Sequence, residues 1–576
     1  MAEPYGAFAL VLHSHLPYVL SHNRLEEEWL LEAVVESYLP LLQVLERLVL
    51  QGISPQVTVG VTPILLEQLA DPRFAATLLA YLEQKSRAAE EDRRTFQEKG
   101  EPYLARLARL WEELCQRTLA FFTHDLASDL IGALRRLQQR GHLEILTSAA
   151  THAYLPLLGL DASVRAQIEL GTACYQRHFR TRPQGFWLPE CAYRPASHWT
   201  PPVDGIAGLR PSDRQGLDRL LAAQGIRYFL VDSRQLKSSP PAYARHSSYQ
   251  PYWVDGKSTE SSLPMAVFGR DFETTARVWQ HDTGYPGDPA YLEFHKKQGG
   301  GGLRYWRITD RSADLASKQL YVPEWAFAQV SAHAAHFAQV VRERLSTHWQ
   351  QTGERGIVVA AFDTELFGHW WFEGPQWVYE LLRQLARSTE TSLLTCGEFL
   401  RQYSPQHTAA LRESSWGDGG DHRVWWQDGT RRLWRNLYQA ECDMQRLGEH
   451  LHGKKITGHL ARILQQCGRE LLLLQASDWP FMISTRSTPD HAQRRAAQHQ
   501  NNFQRCRLMA ERYMADEAIA AEDWQALEEM ERQDAPFPDL KPEIFWEGQQ
   551  SAISSQPDRK TYQPSAVSRQ PDKDKC

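Results

Sequence analysis

Short apolar runs alternate with helical segments along the first 400 residues of this 576-residue chain. Each run has the length and composition of a buried strand, and most are separated from the next by a helical pattern. The runs are Gly6–Leu12, Gln56–Val61, Leu143–Leu146, Gly185–Leu188, Tyr228–Val231, Ala266–Phe268, Ile357–Phe362 and Leu393–Thr395. Because strands that alternate with helices form parallel sheets, the pattern predicts an α/β fold with roughly eight βα units, a number that suits a barrel.

Glu190 and Asp363 each follow one of these runs, and aromatic residues flank both. In βα barrels the functional residues come from the C-terminal ends of strands, so we expect both carboxylates at the mouth of the barrel. Either acid alone could simply begin a helix, where the helix dipole stabilises a negative charge. Glycoside chemistry, however, needs two carboxylates facing each other across a sugar, one as nucleophile and one as proton donor. Together the two acids predict a glycoside-processing site.

His13 and His15 follow the first run and lie two positions apart. A strand that continues through them would point both side chains to the same face. Such a pair could belong to a metal-ligand set, which would need a third ligand. We favour a substrate hydrogen bond together with a packed core histidine.

The rest of the chain divides by composition. Residues 71–127 are charged and helical, with Leu104, Leu107 and Leu114 at helical intervals, and indicate an insertion in the main domain. We therefore predict a catalytic domain over 1–400, a helical domain that contributes to the substrate cleft over 401–535, and a largely disordered tail over 536–576. From Gln549 onward the chain is rich in Ser, Pro, Gln and Lys and has few apolar residues.

Charge and cysteine content exclude several classes of protein. The net charge of −6 gives no basic surface for nucleic acid or an anionic membrane. The eight cysteines are scattered without a C-x-x-C pair, which argues against a disulfide framework and fits a reducing cytoplasm. No run of about eighteen apolar residues is present, and the N-terminus lacks the pattern of a signal peptide. We expect a cytoplasmic monomer.

Five motifs in order resemble glycoside hydrolase family 57, over about residues 5 to 530. These are His13-Ser14-His15-Leu16-Pro17, Gly60-Val61-Thr62-Pro63, Gly185-Phe186-Trp187-Leu188-Pro189-Glu190, Ala361-Phe362-Asp363-Thr364-Glu365-Leu366-Phe367-Gly368-His369-Trp370 and Thr395-Cys396-Gly397-Glu398-Phe399-Leu400. Within that family, the helical C-terminal part with Trp416 and Ser477-Asp478-Trp479-Pro480 resembles the 1,4-α-glucan branching enzymes. The resemblance implies a distorted (β/α)7 barrel with a helical insertion and an all-helical C-terminal domain.

The resemblance also implies a retaining mechanism without a metal or other cofactor. Glu190 would be the nucleophile on an α-1,4-glucan such as amylose or glycogen, and Asp363 would be the general acid/base. The acceptor would be the 6-hydroxyl of another glucose unit, which gives an α-1,6 branch, as in glycogen biosynthesis. Further substrate-binding positions would be Arg270, Gly287, Trp416, Asp478, His13, His15, Trp29 and Trp279.

A loop over the active site is a further expectation from the resemblance. It would correspond to about Arg234 to Tyr252, with either Tyr243 or Tyr249 at its tip. A closed, Trp-lined cleft excludes water and positions an acceptor, which favours transfer over hydrolysis.

Other functions stay open from the sequence. A 4-α-glucanotransferase or α-amylase of the same family would use the same carboxylates and differ in the linkage of the product. A metal-dependent polysaccharide deacetylase would hold zinc with His13, His15 and an aspartate. A non-catalytic glucan-binding protein would use the aromatic cleft alone, and we disfavour it because both carboxylates are present.

Overall fold

The computed structural model describes residues 4–20, 23–237, 247–255, 264–280 and 283–546. Its strands, numbered in chain order, are β1 Gly6–Ser14, β2 Val57–Val61, β3 Leu143–Ser148, β4 Gly185–Trp187, β5 Ser197–Trp199, β6 Ser212–Arg214, β7 Tyr228–Asp232, β8 Tyr252–Val254, β9 Ala266–Arg270, β10 Gly356–Asp363, β11 Thr391–Leu393 and β12 Thr408–Ala409. Strands β5 and β6 form a separate hairpin, and the other strands belong to one sheet.

Seven parallel strands of that sheet form the barrel predicted from the sequence. They follow the order β10-β1-β2-β3-β4-β7-β9. The backbone amide of Asp271, just after β9, donates to the carbonyl of Val359 in β10 at 2.8 Å and brings the two ends of the order together. Strand β8 runs antiparallel beside β9, and β12 pairs with β8. The distorted (β/α)7 barrel is thereby confirmed.

Seven of the eight predicted runs fall on strands of the ring. The last, Leu393–Thr395, overlaps β11 only at Leu393, and β11 lies outside the ring. Strand β11 pairs only with the first three residues of β1. Strand β1 extends to Ser14, beyond the predicted end at Leu12, and so includes His13. Thr408 and Ala409 continue the sheet past the predicted domain boundary at residue 400.

The alternation of side chains along the strands decides which residues reach the mouth of the barrel. In β1, Ala7, Ala9 and Val11 pack inside the barrel, whereas Phe8, Leu10 and Leu12 pack outside it among the helices. Strand β10 alternates in the same way, with Ile357, Val359 and Ala361 inside. Because the period of a strand is two, His13 and Asp363 continue the inward rows. The two residues are direct partners in the parallel register.

The helices surround the barrel and make up most of the C-terminal part. They are α1 Arg24–Ala33, α2 Leu39–Leu50, α3 Pro63–Leu69, α4 Phe74–Glu98, α5 Pro102–Ala120, α6 Leu130–Gln139, α7 Asp161–Phe179, α8 Leu217–Ala223, α9 Ser233–Lys237, α10 Phe272–Trp279, α11 Pro323–Thr352, α12 Gly374–Leu385, α13 Cys396–Gln402, α14 Arg431–Leu451, α15 Gly458–Leu474, α16 Asp478–Thr485, α17 Pro489–Met514 and α18 Ala521–Gln533. Helices α4 and α5 fall within the predicted insertion. A π-helical turn, Val34–Tyr38, separates α1 from α2.

The start of the predicted tail is ordered. Phe537, Leu540 and Phe545 are buried, and Gly468 of α15 leaves room for the last two. Leu540 and Phe545 pack at Gly468 of α15, and the backbone amide of Phe537 donates to Glu67 of α3 at 3.1 Å. Residues 547–576 lie outside the described residues, so the prediction for the rest of the tail stays a prediction.

Among the described residues, no helix is long and apolar enough to span a membrane. Seven cysteines lie in the described part of the chain, and each is buried and unpaired.

Candidate active site

Glu190 lies in a strained turn just after β4. Its backbone has a φ of +61° and that of Cys191 a φ of +48°, a left-handed conformation that side chains other than glycine rarely adopt. Two consecutive residues in this region cost free energy that the surrounding structure must offset, and such strain is concentrated at functional sites. Pro189 begins the turn, and buried Leu188 and Ala192 fix it on either side.

Two donors from the C-terminal part of the chain bind the Glu190 carboxylate. The indole Nε1 of Trp416 donates to Oε2 at 2.7 Å, and the hydroxyl of Ser477 is 3.2 Å from Oε1. The backbone amide of Trp416 also donates to the carbonyl of Glu190 at 3.0 Å. The barrel therefore supplies the acid, and the region after β12 supplies the groups that orient it.

Asp363 ends β10 and has different surroundings. Within the part of the chain that the structure describes, no group donates a hydrogen bond to its carboxylate. The carboxylates of Glu365 and Glu190 lie close enough to raise the pKa of Asp363. Arg270 is the neighbouring positive charge, and it acts in the opposite direction.

These surroundings favour different protonation states for the two carboxyl groups. Removal from water and the two neighbouring carboxylates raise the pKa of Asp363 well above its usual range, which favours the protonated form. Removal from water also raises the pKa of Glu190, and the hydrogen bonds from Trp416 and Ser477 limit the rise to about 7. Hydrogen bonds to a carboxylate favour its ionised form. The arrangement therefore favours an ionised Glu190 beside a protonated Asp363, and such a divergence distinguishes an acid from a base or nucleophile.

A chain of hydrogen bonds leads from His13 to Glu190. The Nε2 atoms of His13 and His152 are 3.0 Å apart, and His152 Nδ1 is 2.9 Å from the hydroxyl of Ser477. If Ser477 donates to Glu190, it accepts from Nδ1–H of His152, whose Nε2 must then accept from Nε2–H of His13. Burial lowers the pKa of both histidines well below the usual range, so each carries a single ring proton, as this chain requires.

His15 lies beside this chain of hydrogen bonds and lines the substrate cleft. Its Nδ1 is 3.1 Å from the hydroxyl of Thr62, and its Nε2 is 3.0 Å from a carboxylate oxygen of Asp478. Burial lowers the pKa of His15, but the charge and hydrogen bond of Asp478 outweigh burial and raise it overall. The second sequence motif thus supplies Thr62, and the predicted residues His15 and Asp478 form a pair.

The zinc set expected for a deacetylase is absent from the described residues. His13 Nε2 is bonded to His152, and its Nδ1 is buried without a partner, next to Gly60. A different group, His15, His152 and Asp478, has ligand-type atoms close together. In this structure, both ring nitrogens of its two histidines make hydrogen bonds within the protein.

Arg270 and Trp416 form one unit behind the carboxylates. The guanidinium of Arg270 lies 5.2 Å from the centroid of the Trp416 ring, and it is bonded to Asp232 at 2.6 Å. A cation over an indole face is attractive and holds the ring in place. Trp416, predicted to bind substrate, thus contacts Glu190, the predicted nucleophile, directly.

A cleft of about 1120 Å³ opens at Asp363, and Glu190 is not among the residues that line it. Asp363 and Glu365 line it from the barrel, and Asp478 and Phe481 line it from α16. The predicted residues His15, Trp29, Trp279 and Gly287 also line the cleft. A side chain at position 287 would collide with the guanidinium of Arg311, which donates to the Gly287 carbonyl at 2.8 Å.

The predicted roles of His13 and Tyr249 differ from their positions in the structure. His13 is buried behind the cleft and stacks on Trp187 at 4.5 Å between ring centroids, so it supports the site rather than meeting substrate. The carbonyl of Tyr249 accepts from the amide of Ile357, which lies six residues before Asp363 and hence about 20 Å from it along the strand. Tyr249 is therefore not the tip of a loop over the active site, because its backbone extends the sheet at the opposite end. Tyr243 lies outside the described residues.

The fifth sequence motif also lies at that opposite end. The amide of Gly397 donates to Glu144 at the start of β3, and the amide of Cys396 donates to Thr58 near the start of β2. In βα barrels this end contributes to stability, whereas the other end carries catalysis. The motif is accordingly structural in this chain.

His152, Tyr38 and Glu365 also belong to the site, although none of them was predicted. His152 lies four residues after the end of β3 at Ser148, so it does not directly follow an apolar run as His13 does. Tyr38 donates a short hydrogen bond to the Glu365 carboxylate and comes from the π-helical turn, for which no sequence signal exists.

Comparison with known proteins agrees with this architecture. Residues 9–412 match the profile of glycosyl hydrolase family 57, and residues 436–545 match the C-terminal region of 1,4-alpha-glucan branching enzymes. The chain is 41% identical over 550 residues to a 1,4-alpha-glucan branching enzyme of Thermococcus kodakarensis, a match that covers 92% of this chain and 77% of that relative.

Solved structures agree as well. The branching enzyme of Pyrococcus horikoshii has a TM-score of 0.86 and 36% identity, with 94% of this chain and 97% of that chain covered. The alpha-amylase AmyC of Thermotoga maritima has a TM-score of 0.79 and 28% identity, with 94% of this chain and 99% of that chain covered. The barrel, the carboxylate pair at its mouth and these matches together show that the chain belongs to glycosyl hydrolase family 57.

Proposed function

We propose that this chain is a 1,4-α-glucan branching enzyme, which cleaves an α-1,4 bond and re-forms the linkage as an α-1,6 branch. One observation carries the proposal. The segment that matches the branching-enzyme C-terminal region, residues 436–545, contributes Ser477 to the Glu190 carboxylate and Asp478 to the cleft. The part that resembles branching enzymes is thus built into the reaction centre. Such a reaction belongs to the synthesis of glycogen and similar storage glucans.

In the first half of the reaction, Glu190 attacks C1 of the glucose unit at the bond that breaks. Asp363 donates its proton to the leaving O4, and a covalent ester forms between the sugar and Glu190. Asp363 is then ionised. The hydrogen bonds from Trp416 and Ser477 hold the Glu190 carboxylate ionised and fixed before the attack.

In the second half, the 6-hydroxyl of an acceptor glucose attacks the same C1. Asp363 takes the hydroxyl proton, the ester bond to Glu190 breaks, and both acids return to their starting protonation states. Two displacements at C1 retain the configuration, and a retaining pair has its carboxyl groups about 5–5.5 Å apart. The residues that we assign to substrate binding are Arg270, Gly287, Trp416, Asp478, His15, Trp29 and Trp279.

Hydrolysis is the competing outcome, and the similarity to the alpha-amylase AmyC makes it the second candidate. If water replaces the acceptor hydroxyl, the same two acids act as an amylase. Incubation with amylose, followed by an enzyme that cuts only α-1,6 bonds, separates the two. Short linear chains released by that enzyme support branching, whereas shortened chains that resist it support hydrolysis or 4-α-glucan transfer.

We also propose that the protein works as a cytoplasmic monomer. Its buried, unpaired cysteines suit a compartment that keeps thiols reduced. Size-exclusion chromatography with light scattering tests the monomer, for which a mass near 66.2 kDa is expected.

Removing the Ser477 hydroxyl is expected to change the pH profile of the reaction. In Ser477→Ala the Glu190 carboxylate loses a donor that favours its ionised form, so its pKa rises. Because Glu190 must be ionised to attack, the acidic limb of kcat/KM moves to higher pH, and activity at neutral pH falls roughly two- to tenfold. The measurement is kcat/KM for amylose between pH 4 and 9.

Ser484→Ala is the matched control, because Ser484 lies on the same helix and its buried hydroxyl has no hydrogen-bond partner. Its profile should equal that of the unaltered protein. An acidic limb that stays in place in Ser477→Ala would show that Ser477 does not act on Glu190.

A further inference from the structure

Two neighbouring tryptophans in the loop after β10 have opposite environments. The side chain of Trp371 is 1% exposed and packs against Trp377, with ring centroids 5.5 Å apart. Trp370 is 54% exposed and lines the cleft. The loop is thus anchored in the core by one ring and presents the other to solvent. A large exposed apolar side chain in a cleft marks a binding surface.

Phe294 packs against the exposed ring of Trp370, and we call this pair of rings the aromatic shelf. The centroids of Phe294 and Trp370 are 4.5 Å apart, with an angle of 32° between the ring planes. Phe294 belongs to the long connection before α11 and also lines the cleft. The shelf therefore lies in the same cleft as Asp363.

A network of charges fixes the shelf from below. His369 Nδ1 is 2.7 Å from one carboxylate oxygen of Glu36, and Arg304 donates to the other at 2.9 Å. The guanidinium of Arg304 lies 5.6 Å from the Phe294 ring and also donates to the carbonyl of His369 at 3.2 Å. Arg304 and His369 lower the pKa of Glu36 against the effect of burial, which keeps the carboxylate ionised.

The π-helical turn locks the same loop through its backbone. The hydroxyl of Ser37 accepts from the amide of His369 at 3.0 Å. At Gly368, whose φ is +118°, any side chain would overlap the carbonyl of Glu36. Single π-turns within helices occur frequently at functional sites. Here the turn, with Glu36 and Ser37, holds the exposed ring of Trp370 in one place.

We propose that the aromatic shelf is a sugar-binding subsite, at which a glucose unit of the α-glucan stacks at a distance from the bond that breaks. This inference rests on the proposed function. Aromatic faces bury the C–H surfaces of sugars, and a rigid ring does so at a small cost in conformational entropy. A shelf that is fixed before substrate arrives gains affinity for the same reason.

The shelf takes a neutral chain rather than a charged one. Lys297 pairs with Glu32 beside it, and Arg304 is bound to Glu36 beneath it. These charges are matched within the protein, so the exposed surface consists of the two rings. It suits a chain that offers C–H faces and hydroxyls, and the cleft continues from it to Asp363.

Binding of maltoheptaose to protein carrying Glu190→Gln tests the shelf without turnover. Addition of Trp370→Ala or Phe294→Ala is expected to weaken binding about five- to tenfold by isothermal titration calorimetry. Trp370→Phe keeps an aromatic face and should stay within about twofold of the parent. If Trp370→Ala folds poorly, Trp370→Gln places a polar side chain at the same exposed position. We expect it to weaken binding as much as Trp370→Ala does.

Trp325→Ala is the matched control, because Trp325 is 56% exposed but does not line the cleft. Its affinity should equal that of the parent. Equal affinity in Trp370→Ala and Phe294→Ala would overturn the shelf alone. Failure of the Glu190→Gln parent to bind maltoheptaose would overturn both the shelf and the proposed function.

Discussion

Replacing Glu190 by glutamine is expected to lower kcat/KM for glycosyl transfer on the order of 10⁴-fold or more, because no covalent intermediate can then form. Glutamine preserves the size of the side chain, so the strained turn and the neighbouring Trp416 keep their positions. The measurement is the rate of branch formation on amylose, with circular dichroism to verify folding. A loss of less than tenfold would remove Glu190 from the role of nucleophile.

A rescue experiment separates loss of the nucleophile from a disturbed cleft. In Glu190→Ala, azide can occupy the space of the missing carboxylate and attack C1 of an α-maltosyl fluoride. One displacement in place of two should give a maltosyl azide of inverted, β configuration. An azide product of α configuration would contradict the assignment, as would wild-type-like transfer without azide.

Asp363→Asn is expected to reduce branch formation about 10²- to 10⁴-fold, the range of a lost general acid/base. Asparagine has nearly the same shape but cannot deliver a proton to the leaving O4. The raised pKa of Asp363 keeps the native carboxyl protonated, and this advantage disappears with the substitution. The measurement is again kcat/KM on amylose, between pH 4 and 9.

A substrate whose leaving group needs no proton tests whether Asp363→Asn loses activity because it cannot donate a proton. Fluoride departs without protonation, so consumption of α-maltosyl fluoride in the first half-reaction should fall far less in Asp363→Asn than the rate on amylose. The unaltered protein should lose activity at high pH as Asp363 ionises, and the variant should lack this basic limb. Equal losses on both donors would contradict the role of Asp363 as proton donor.

The barrel and its two acids could be predicted because the signals are local. An apolar run such as Ile357–Phe362 clearly predicts a buried strand. A carboxylate at its end costs free energy to bury, which suggests a functional role. Alternation along β1 and β10 then places His13 and Asp363 on the inward rows. These inferences need no knowledge of contacts between distant parts of the chain.

The hydrogen-bond chain to Glu190 could not be predicted, because its members are far apart in sequence. His152 and Ser477 are separated by 325 positions and meet only when α16 packs over the barrel mouth. The order after residue 536 was missed for a similar reason. Phe537 and Phe545 are buried, and their surroundings come from distant parts of the chain, Glu67 of α3 and Gly468 of α15 respectively.

Proton NMR of the products formed from amylose separates branching from hydrolysis and from 4-α-glucan transfer in one experiment. We expect new α-1,6 anomeric signals in place of α-1,4 signals, with few new reducing ends, because each broken bond is re-formed on a 6-hydroxyl. Shortened chains with abundant reducing ends and no α-1,6 signal would contradict the proposed function and identify a hydrolase. Redistributed α-1,4 chains without α-1,6 signal would contradict it in favour of a 4-α-glucanotransferase.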